Sequence, residues 1–252
     1  MFDERLCRRF GDCIKAGKGQ IIASENNLII NRDQISDASA LRDICPSGAL
    51  TVAGRGMSID EILQEVLKDI PFYNTSGGGV TLSGGEPLSQ EPELKDLIME
   101  LKSRGIHVSV ETTLHLPWES IESYVELIDV FLADLKHTDA NKLTRFTGGN
   151  ASLIMDNFRK LDGKGKPFIV RVPVIPHFNY SEPELHSIID FASGLKNASE
   201  INFIPFHSLA SEKYSMLGRE YLFMNDRNIE KADLTKYVEY AAEKGLNGKI
   251  LN

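Results

Sequence analysis

Residues 76–90 read Ser-Gly-Gly-Gly-Val-Thr-Leu-Ser-Gly-Gly-Glu-Pro-Leu-Ser-Gln, and the rest of the chain is best interpreted from this stretch. The apolar run at residues 80–82 is typical of a short buried strand. Gly84 and Gly85 end the run without a Cβ, so a ligand can approach the backbone there. Glu86 then presents a carboxylate, and the proline after it disfavours a helical conformation. The stretch therefore predicts a strand that ends in bare backbone amides beside one acid, although a glycine-rich turn with a solvated glutamate also fits.

Outward from this stretch, apolar segments alternate with segments of helical periodicity. Five segments predict strands, at residues 80–82, 106–110, 129–135, 168–175 and 201–206. Helix signals lie around and between them: capping-box patterns at Ser58 with Glu61 and at Ser181 with Glu184, a possible cap at Asn150, and Pro117 at the start of a helix to about residue 127. This alternation predicts an α/β fold with a parallel sheet, and five strands predict an incomplete barrel.

The composition is that of a globular protein in which one α/β domain is ordinary. The chain has 252 residues, of which 42% are hydrophobic and 25% charged. A net charge of −8 argues against a nucleic-acid footprint, and no apolar run is long enough to span a bilayer. Three cysteines do not form a disulfide framework, so a reducing compartment, the cytoplasm, is expected.

Residues 1–56 differ from the rest because they hold all three cysteines and show little periodicity. Cys45, followed by Pro46, is similar to the end of a ferredoxin cluster motif. An iron–sulfur cluster normally needs four thiolates, which Cys7, Cys13 and Cys45 cannot supply, and the spacing from Cys7 to Cys13 does not fit such a set. We therefore expect a small cluster-free segment with leftover cysteines. Its residues 21–22 and 28–30 predict two short strands.

Polar residues follow each of the five predicted strands. In parallel barrels the functional groups gather at the carboxyl ends of the strands, so these residues are expected at one rim. In strand order they are Gly84, Gly85 and Glu86; Glu111, Thr112 and Thr113; Asp134 and Lys136; Arg171, with His177 and Asn179 just beyond it; and His207. Any one of them fits a solvated loop residue, but their coincidence over five strands predicts a site.

Asp134 and Lys136 stand two positions apart in a strand and therefore share a face. They can act on one ligand group or pair with each other, and an ion pair on an exposed edge strand would contribute little. The run at residues 130–133 is too apolar for an exposed edge, which favours a functional pair. An amino-acid ligand suits this rim, since its carboxylate can meet Lys136 and its ammonium can meet Glu86.

The strand-end motifs, taken in order, resemble those of the glycyl-radical-enzyme activating enzymes, which belong to the radical S-adenosylmethionine superfamily. The motifs are residues 76–88 of the opening stretch, Val-Glu-Thr at 110–112, Asp-Val-Phe-Leu-Ala-Asp-Leu-Lys-His at 129–137, Arg-Val-Pro-Val-Ile-Pro at 171–176 and Phe-Ile-Pro-Phe-His at 203–207. The resemblance implies a partial TIM-like barrel over residues 57–252, with a small degenerate ferredoxin-like insert over residues 1–56.

The resemblance also implies a role for each site residue. Gly84, Gly85 and Glu86 would contact the amino group of the methionine part of S-adenosylmethionine. Asp134, Leu135 and Lys136 would line its methionine and ribose, with Arg171 in the same cofactor-binding set and His207 beside the adenosine. Glu111, Thr112 and Asp134 match positions that hold a monovalent cation in relatives, where an aspartate is usual in place of Glu111.

The activity implied is reductive cleavage of S-adenosylmethionine to a 5′-deoxyadenosyl radical. That radical takes hydrogen from a glycine of a partner glycyl radical enzyme of the formate acetyltransferase type, after a flavodoxin- or ferredoxin-type donor delivers an electron. The family holds its 4Fe-4S cluster with a Cys-x-x-x-Cys-x-x-Cys loop, which this sequence lacks. We therefore expect a chain without its first several tens of residues, inactive alone, with Cys7, Cys13 and Cys45 as degenerate remnants of the insert's clusters.

Three other functions fit parts of the sequence. In one alternative, the chain would be a non-catalytic fragment, or a module that a second, cysteine-bearing polypeptide completes. A Schiff-base lyase would use Lys136 on a barrel strand. Metal-dependent hydrolysis would use His137, His177 and His207 with nearby acids, although their spacing is not that of a tight ligand set.

Overall fold

The computed structural model describes residues 1–24, 28–90, 92–223 and 225–251. The chain divides into two compact units. The first unit comprises Met1–Met57 and Ser208–Asp226, and the second comprises Ser58–His207 and Arg227–Asn252. The sequence predicts an N-terminal region of residues 1–56 only. In the structure the first unit also includes Ser208–Asp226.

Helices and strands alternate through most of the described chain. The strands are β1 (Ile21–Ala23), β2 (Leu28–Ile30), β3 (Gly79–Leu82), β4 (His107–Thr112), β5 (Val130–Asp134), β6 (Phe168–Val174), β7 (Ala198–Pro205) and β8 (Gly248–Ile250). The α-helices are α1 (Asp12–Ala16), α2 (Ile59–Val66), α3 (Ile70–Ser76), α4 (Glu93–Ser103), α5 (Trp118–Glu122), α6 (Ala140–Thr147), α7 (Ala151–Gly163), α8 (Glu182–Ser193), α9 (Ala210–Met216) and α10 (Lys231–Glu243).

The second unit contains a parallel sheet of six strands in the order β3-β4-β5-β6-β7-β8. Neighbouring strands of the sheet are consecutive in the chain, with helices between most of them. This topology confirms the predicted α/β fold of the incomplete-barrel type. The apolar run at residues 130–133 lies in β5, between β4 and β6, so the prediction that it is not an edge strand is also confirmed. The sequence yielded five strands and missed β8, which has three residues and includes a lysine.

The central strands bury alternate side chains. Along β4, β5 and β6 every second residue is buried, and the residues between are intermediate in exposure. The buried set includes Val110, Phe131 and Val172, none of which exposes measurable surface. Strand residues two apart share a face, so one face of the sheet is a packed core and the other is left for polar groups.

Of the four helix signals, two are confirmed and two turn out differently. Ser58 and Glu61 form both bonds of the predicted capping box, and the Asn150 side chain accepts a bond from the Leu153 amide. Ser181 precedes α8 as predicted, but its hydroxyl donates to Glu184 at 2.7 Å and makes no cap bond to the backbone. The helix expected from Pro117 to about residue 127 ends at Glu122.

The first unit has its own small core. β1 and β2 pair antiparallel, which confirms the two short strands predicted there. Phe2, Ile21 and Leu41 are buried in this core, and all three cysteines pack against it. The C-terminal part of the unit joins it through the backbone, since the Phe2 amide donates to the Met216 carbonyl at 2.8 Å.

Candidate functional site at the strand ends

The parallel register brings the carboxyl ends of the central strands to one edge of the sheet. Asp134 of β5 pairs with Arg171 of β6, and Arg171 pairs in turn with Asn202 of β7. Partners in a parallel ladder share a face, so these three side chains lie in one row. They stand on the polar face, because the alternate residues Ala133, Val172 and others are the buried ones.

Glu111 and Arg171 form an ion pair across β5, although 60 positions separate them. The other carboxylate oxygen of Glu111 accepts a hydrogen bond from Ser83 at 2.7 Å. Burial raises the pKa of Glu111, but the bonds from Ser83 and Arg171 outweigh it and hold the pKa below its ordinary value. Glu111 is therefore an anion with both oxygens engaged.

Asp134 lies between two cations. Its Oδ2 is 3.5 Å from Lys136 Nζ, and its Oδ1 is 3.9 Å from Arg171 Nε. Burial nevertheless raises the pKa of Asp134 above its ordinary value, because the loss of water outweighs both cations.

Glu86 has one satisfied and one unsatisfied carboxylate oxygen. Its Oε2 accepts from the Thr113 amide at 2.9 Å and from the Thr113 hydroxyl at 2.7 Å. Its Oε1 is buried and has no hydrogen-bond partner in the described residues. Gly84 and Gly85 just before it have φ of 88° and 58°, and a Cβ on either would meet open space. A donor group can therefore approach Glu86 along bare backbone.

Asn179 connects the ends of β5 and β6. Its side-chain amide donates to the carbonyls of Lys136 and Pro173, both at 2.8 Å, and its Oδ1 accepts from the Ile175 amide at 2.7 Å. The residue is fully buried. Its place beyond the strand suggested a rim residue, whereas the structure gives it a positioning role.

Two residues of the implied ligand set turn their side chains into the core. Leu135 is fully buried, and its amide donates to the Arg171 carbonyl at 2.8 Å. Thr112 is 3% exposed, and its hydroxyl accepts from the Leu114 amide at 3.1 Å. Their side chains alternate with those of Asp134 and Glu111, so at the polar face they offer their backbone atoms.

The described histidines are spread out. His207 follows β7 at the same edge of the sheet and is exposed. His177 is also exposed and has a φ of 62°. His137 is buried, its Nδ1 accepts from the Asp139 amide at 2.9 Å, and burial lowers its pKa. Within the described ranges no three His, Cys, Asp or Glu side chains are grouped to hold one metal ion.

A cavity of about 110 Å³ adjoins this edge. It is lined by Thr113, Asp134 and Lys136 from the strand ends, and by Leu143 and Thr147 of α6 among others. His115, which the sequence analysis did not single out, also lines it, and its Nε2 accepts from the Asn150 amide at 3.2 Å. In the sequence, its position shortly after a strand is the one signal that indicates membership of the site. The cavity gives a small polar ligand access to the Asp134–Lys136 pair.

The residues at this edge fit one of the two groups implied by the resemblance. The buried, unpartnered Glu86 Oε1 suits the ammonium of an amino acid, and Lys136 suits its carboxylate. An iron–sulfur cluster needs thiolates, and all three cysteines of the sequence lie in residues 1–57, outside the second unit. This edge therefore fits S-adenosylmethionine and does not fit the cluster.

Comparison with known proteins agrees with this geometry. Residues 43–188 match the family model of the Radical SAM superfamily. The pyruvate formate-lyase 2-activating enzyme of Escherichia coli strain K12 is 35% identical over 92% of this chain and 77% of its own length. The (2S)-3-sulfopropanediol dehydratase activating enzyme of Klebsiella oxytoca is 32% identical over 85% of this chain and 68% of its own length.

A solved structure shares the fold. The domain of pyruvate-formate lyase-activating enzyme from Bacteroides vulgatus superposes with a TM-score of 0.59 at 25% identity. The superposition covers 70% of this chain and 100% of that domain. In the described part of the chain, no helix is long and apolar enough to cross a membrane.

Proposed function

Because this chain belongs to the radical S-adenosylmethionine superfamily and, within it, to the glycyl-radical-enzyme activating enzymes, we propose that its second unit binds S-adenosylmethionine at the strand ends. The observation that carries the proposal is the buried Oε1 of Glu86, which has no donor among the residues that the structure describes and lies beside two glycines that leave the backbone open. The ammonium of the methionine part supplies the missing donor.

Each residue at the edge then has a task in binding. Glu86, held by Thr113, accepts from the ligand ammonium. Lys136 takes the ligand carboxylate and is oriented by Asp134, 3.5 Å away. Gly84 and Gly85 provide amides, Arg171 fixes Asp134 and Glu111 in place, and His207 lies beside the adenosine. S-adenosylmethionine supplies, when bound, the sulfonium whose cleavage starts radical chemistry.

The cation site is the least complete part of this set. Glu111 already bonds Ser83 and Arg171, and the Thr112 hydroxyl faces the core. We propose that Glu111, Thr112 and Asp134 hold a monovalent cation only if Arg171 moves away, since its guanidinium already supplies the positive charge.

We further propose that these 252 residues do not cleave S-adenosylmethionine by themselves. The family reaction needs an electron delivered through a cluster, and no cysteine belongs to the second unit. The thiolates must come from residues beyond this sequence or from a second polypeptide. The completed enzyme acts in the cytoplasm on a glycyl radical enzyme of the formate acetyltransferase type, with a flavodoxin- or ferredoxin-type donor.

The test is calorimetric titration of the 252-residue chain with S-adenosylmethionine. We expect Glu86→Gln to weaken binding by about 10-fold to 100-fold, the effect of losing a charge-assisted hydrogen bond. Glu93→Gln, on the exposed start of α4, is the matched control and should bind as the unsubstituted chain does. Equal affinity in both variants would overturn the proposal.

Two further measurements separate the ligand contact from general damage. Methylthioadenosine lacks the amino-acid part, so it should bind the unsubstituted chain and Glu86→Gln equally well. With dithionite as reductant, the chain alone should form no 5′-deoxyadenosine above the protein-free background. Its formation would disprove the proposed dependence on added thiolates.

A further inference from the structure

The cavity beside Lys136 has room for only one end of a ligand. Its volume of about 110 Å³ is well below the roughly 300–1,000 Å³ of pockets that enclose a whole small molecule. Thr113, which holds Glu86 through its amide and its hydroxyl, lines the cavity together with Lys136. Both residues serve the amino-acid part of S-adenosylmethionine in the binding mode described above, so the group that fits this space is the carboxylate of that part.

Three donors of the cavity wall already have acceptors. The Thr113 hydroxyl donates to Glu86 Oε2 at 2.7 Å, and the Thr147 hydroxyl donates to the Leu143 carbonyl at 2.7 Å. The Gly149 amide donates to the Thr147 hydroxyl at 3.0 Å. Each of these protons is engaged within the protein, so none of them is offered to a ligand.

The two histidines of the cavity wall carry their protons on different ring atoms. His115 Nε2 accepts from the Asn150 amide at 3.2 Å, so the neutral ring holds its proton on Nδ1. His137 Nδ1 accepts from the Asp139 amide at 2.9 Å, which leaves the proton on Nε2, 3.6 Å from Glu184 Oε1. His137 is buried, whereas His115 is exposed. Within the described residues His115 Nδ1 has no hydrogen-bond partner, so its N–H is open to a ligand.

The bond from Asn150 also fixes where the ring of His115 lies. Asn150 caps α7, because its side chain accepts from the Leu153 amide at 3.1 Å. The His115 amide donates to the Thr113 hydroxyl at 3.3 Å. The residue is thus held from the start of α7 and from the turn after β4. A donor that is held in place before the ligand arrives costs less free energy to order on binding.

The charges of the polar face leave a place for a neutral donor. Glu111 pairs with Arg171, and Asp134 lies 3.5 Å from Lys136, so two carboxylates already face two cations. A ligand carboxylate therefore meets no excess of positive charge, and a further N–H donor strengthens its binding. We propose that His115 is a specificity-determining residue, whose Nδ1–H donates to the ligand carboxylate that Lys136 also binds. This role rests on the proposed binding of S-adenosylmethionine.

The test is calorimetric titration of the 252-residue chain with S-adenosylmethionine and with its decarboxylated analogue. The analogue keeps the sulfonium, the nucleoside and an ammonium, and lacks only the carboxylate. We expect the unsubstituted chain to bind S-adenosylmethionine at least about 10-fold more tightly, because Lys136 and His115 have no acceptor in the analogue. The measured quantity is the ratio of the two dissociation constants. A displaced Glu86 or a misfolded fraction changes this ratio little, since either affects both ligands alike.

Two amide variants separate a contact of Nδ1 from general damage to the turn. The side-chain nitrogen of asparagine lies near the position of Nδ1 in histidine, and that of glutamine lies near the position of Nε2. We expect His115→Asn to keep most of the ratio, and His115→Gln to lower it about 10-fold, the effect of one lost hydrogen bond to a charged group. His107→Gln, at the opposite end of β4, is the matched control and should keep the ratio of the unsubstituted chain.

The outcomes distinguish a failure of the His115 contact from a failure of ligand binding. No measurable binding of either ligand would overturn S-adenosylmethionine binding and the role of His115 together. Binding with the same ratio in His115→Gln as in the unsubstituted chain would overturn the role of His115 alone. An equal loss in His115→Asn and His115→Gln would also overturn it, because the contact would then not be one of Nδ1–H.

Discussion

The two faces of β4, β5 and β6 use the same backbone for opposite purposes. On one face Val110, Phe131 and Val172 are fully buried. On the other, Glu111, Asp134 and Arg171 are 36%, 22% and 19% exposed and interact across the sheet. The first face is stabilised by removing apolar surface from water, and the second holds charges that cost free energy to desolvate.

The difference separates stability from function in this unit. The apolar face should contribute most of the free energy of unfolding, because each large buried side chain contributes about 1.5–3 kcal/mol. The polar face should contribute little or even oppose folding, because its carboxylates and cations are drawn partly out of water. Substitutions on the two faces should therefore change different measured quantities.

The largest effect is expected on the buried face. Phe131→Ala should lower the free energy of unfolding by about 3–5 kcal/mol, because it leaves a cavity beside β5, one of the two central strands of the sheet. Leu132→Ala, the next residue on the opposite and half-exposed face, should lower it by only about 1–2 kcal/mol. Urea unfolding followed by circular dichroism measures both. Equal losses would contradict the division of the strand into two faces.

A smaller loss is expected at the boundary between the faces. Asn179→Ala removes three hydrogen bonds to backbone groups just after β5, in β6 and in the turn that follows β6, and should lower stability by about 2 kcal/mol. It should also weaken S-adenosylmethionine binding without touching the ligand, because Lys136 loses its support. The control Asn141→Ala lies on the exposed start of α6 and should change neither quantity. Lower stability with unchanged binding would show that Asn179 stabilises the fold and does not position Lys136 for the ligand.

The sequence predicted most of the buried face and the general location of the polar one. Short apolar runs located five strands, because strands of a parallel sheet that is covered by helices are rich in apolar residues. The gathering of Glu86, Asp134 and Lys136 at one edge followed from the parallel topology. The helix α6 was missed because Asn141, Thr144 and similar residues leave only Leu143 of its residues buried.

Pairings across the sheet could not be predicted. Whether Glu111 faces a bound monovalent metal cation or the Arg171 guanidinium depends on the register of three strands. A shift of one strand by one residue would turn each of its side chains to the other face. The grouping of the cysteines was hidden in the same way, because Cys45 joins Cys7 and Cys13 only when the first unit folds. Spacing along the chain identified the residue types, and tertiary structure chose their partners.

The smallest effects, with opposite signs, are expected from the two carboxylates of the polar face. The folded-state pKa of Asp134 is raised above its ordinary 3.8, so its ionised form opposes folding above that pKa, and the penalty disappears as the pH falls toward 3.8. The folded-state pKa of Glu111 is lowered from 4.5, so its stabilisation is complete above 4.5 and is lost as the pH falls through the folded-state pKa. Asp134→Asn should therefore raise the urea midpoint at neutral pH, and Glu111→Gln should lower it.

Both differences from the unsubstituted chain should shrink on acidification, the Asp134 difference at the higher pH. Urea unfolding at a series of pH values from neutral to about pH 4 follows them. Because Asp134 faces both Lys136 and Arg171, a simple count of ion pairs predicts that its removal destabilises the chain. A lower midpoint in Asp134→Asn at neutral pH would support that count. It would show that the cations of the polar face outweigh the loss of water, and the contrast between the two faces would then be one of degree.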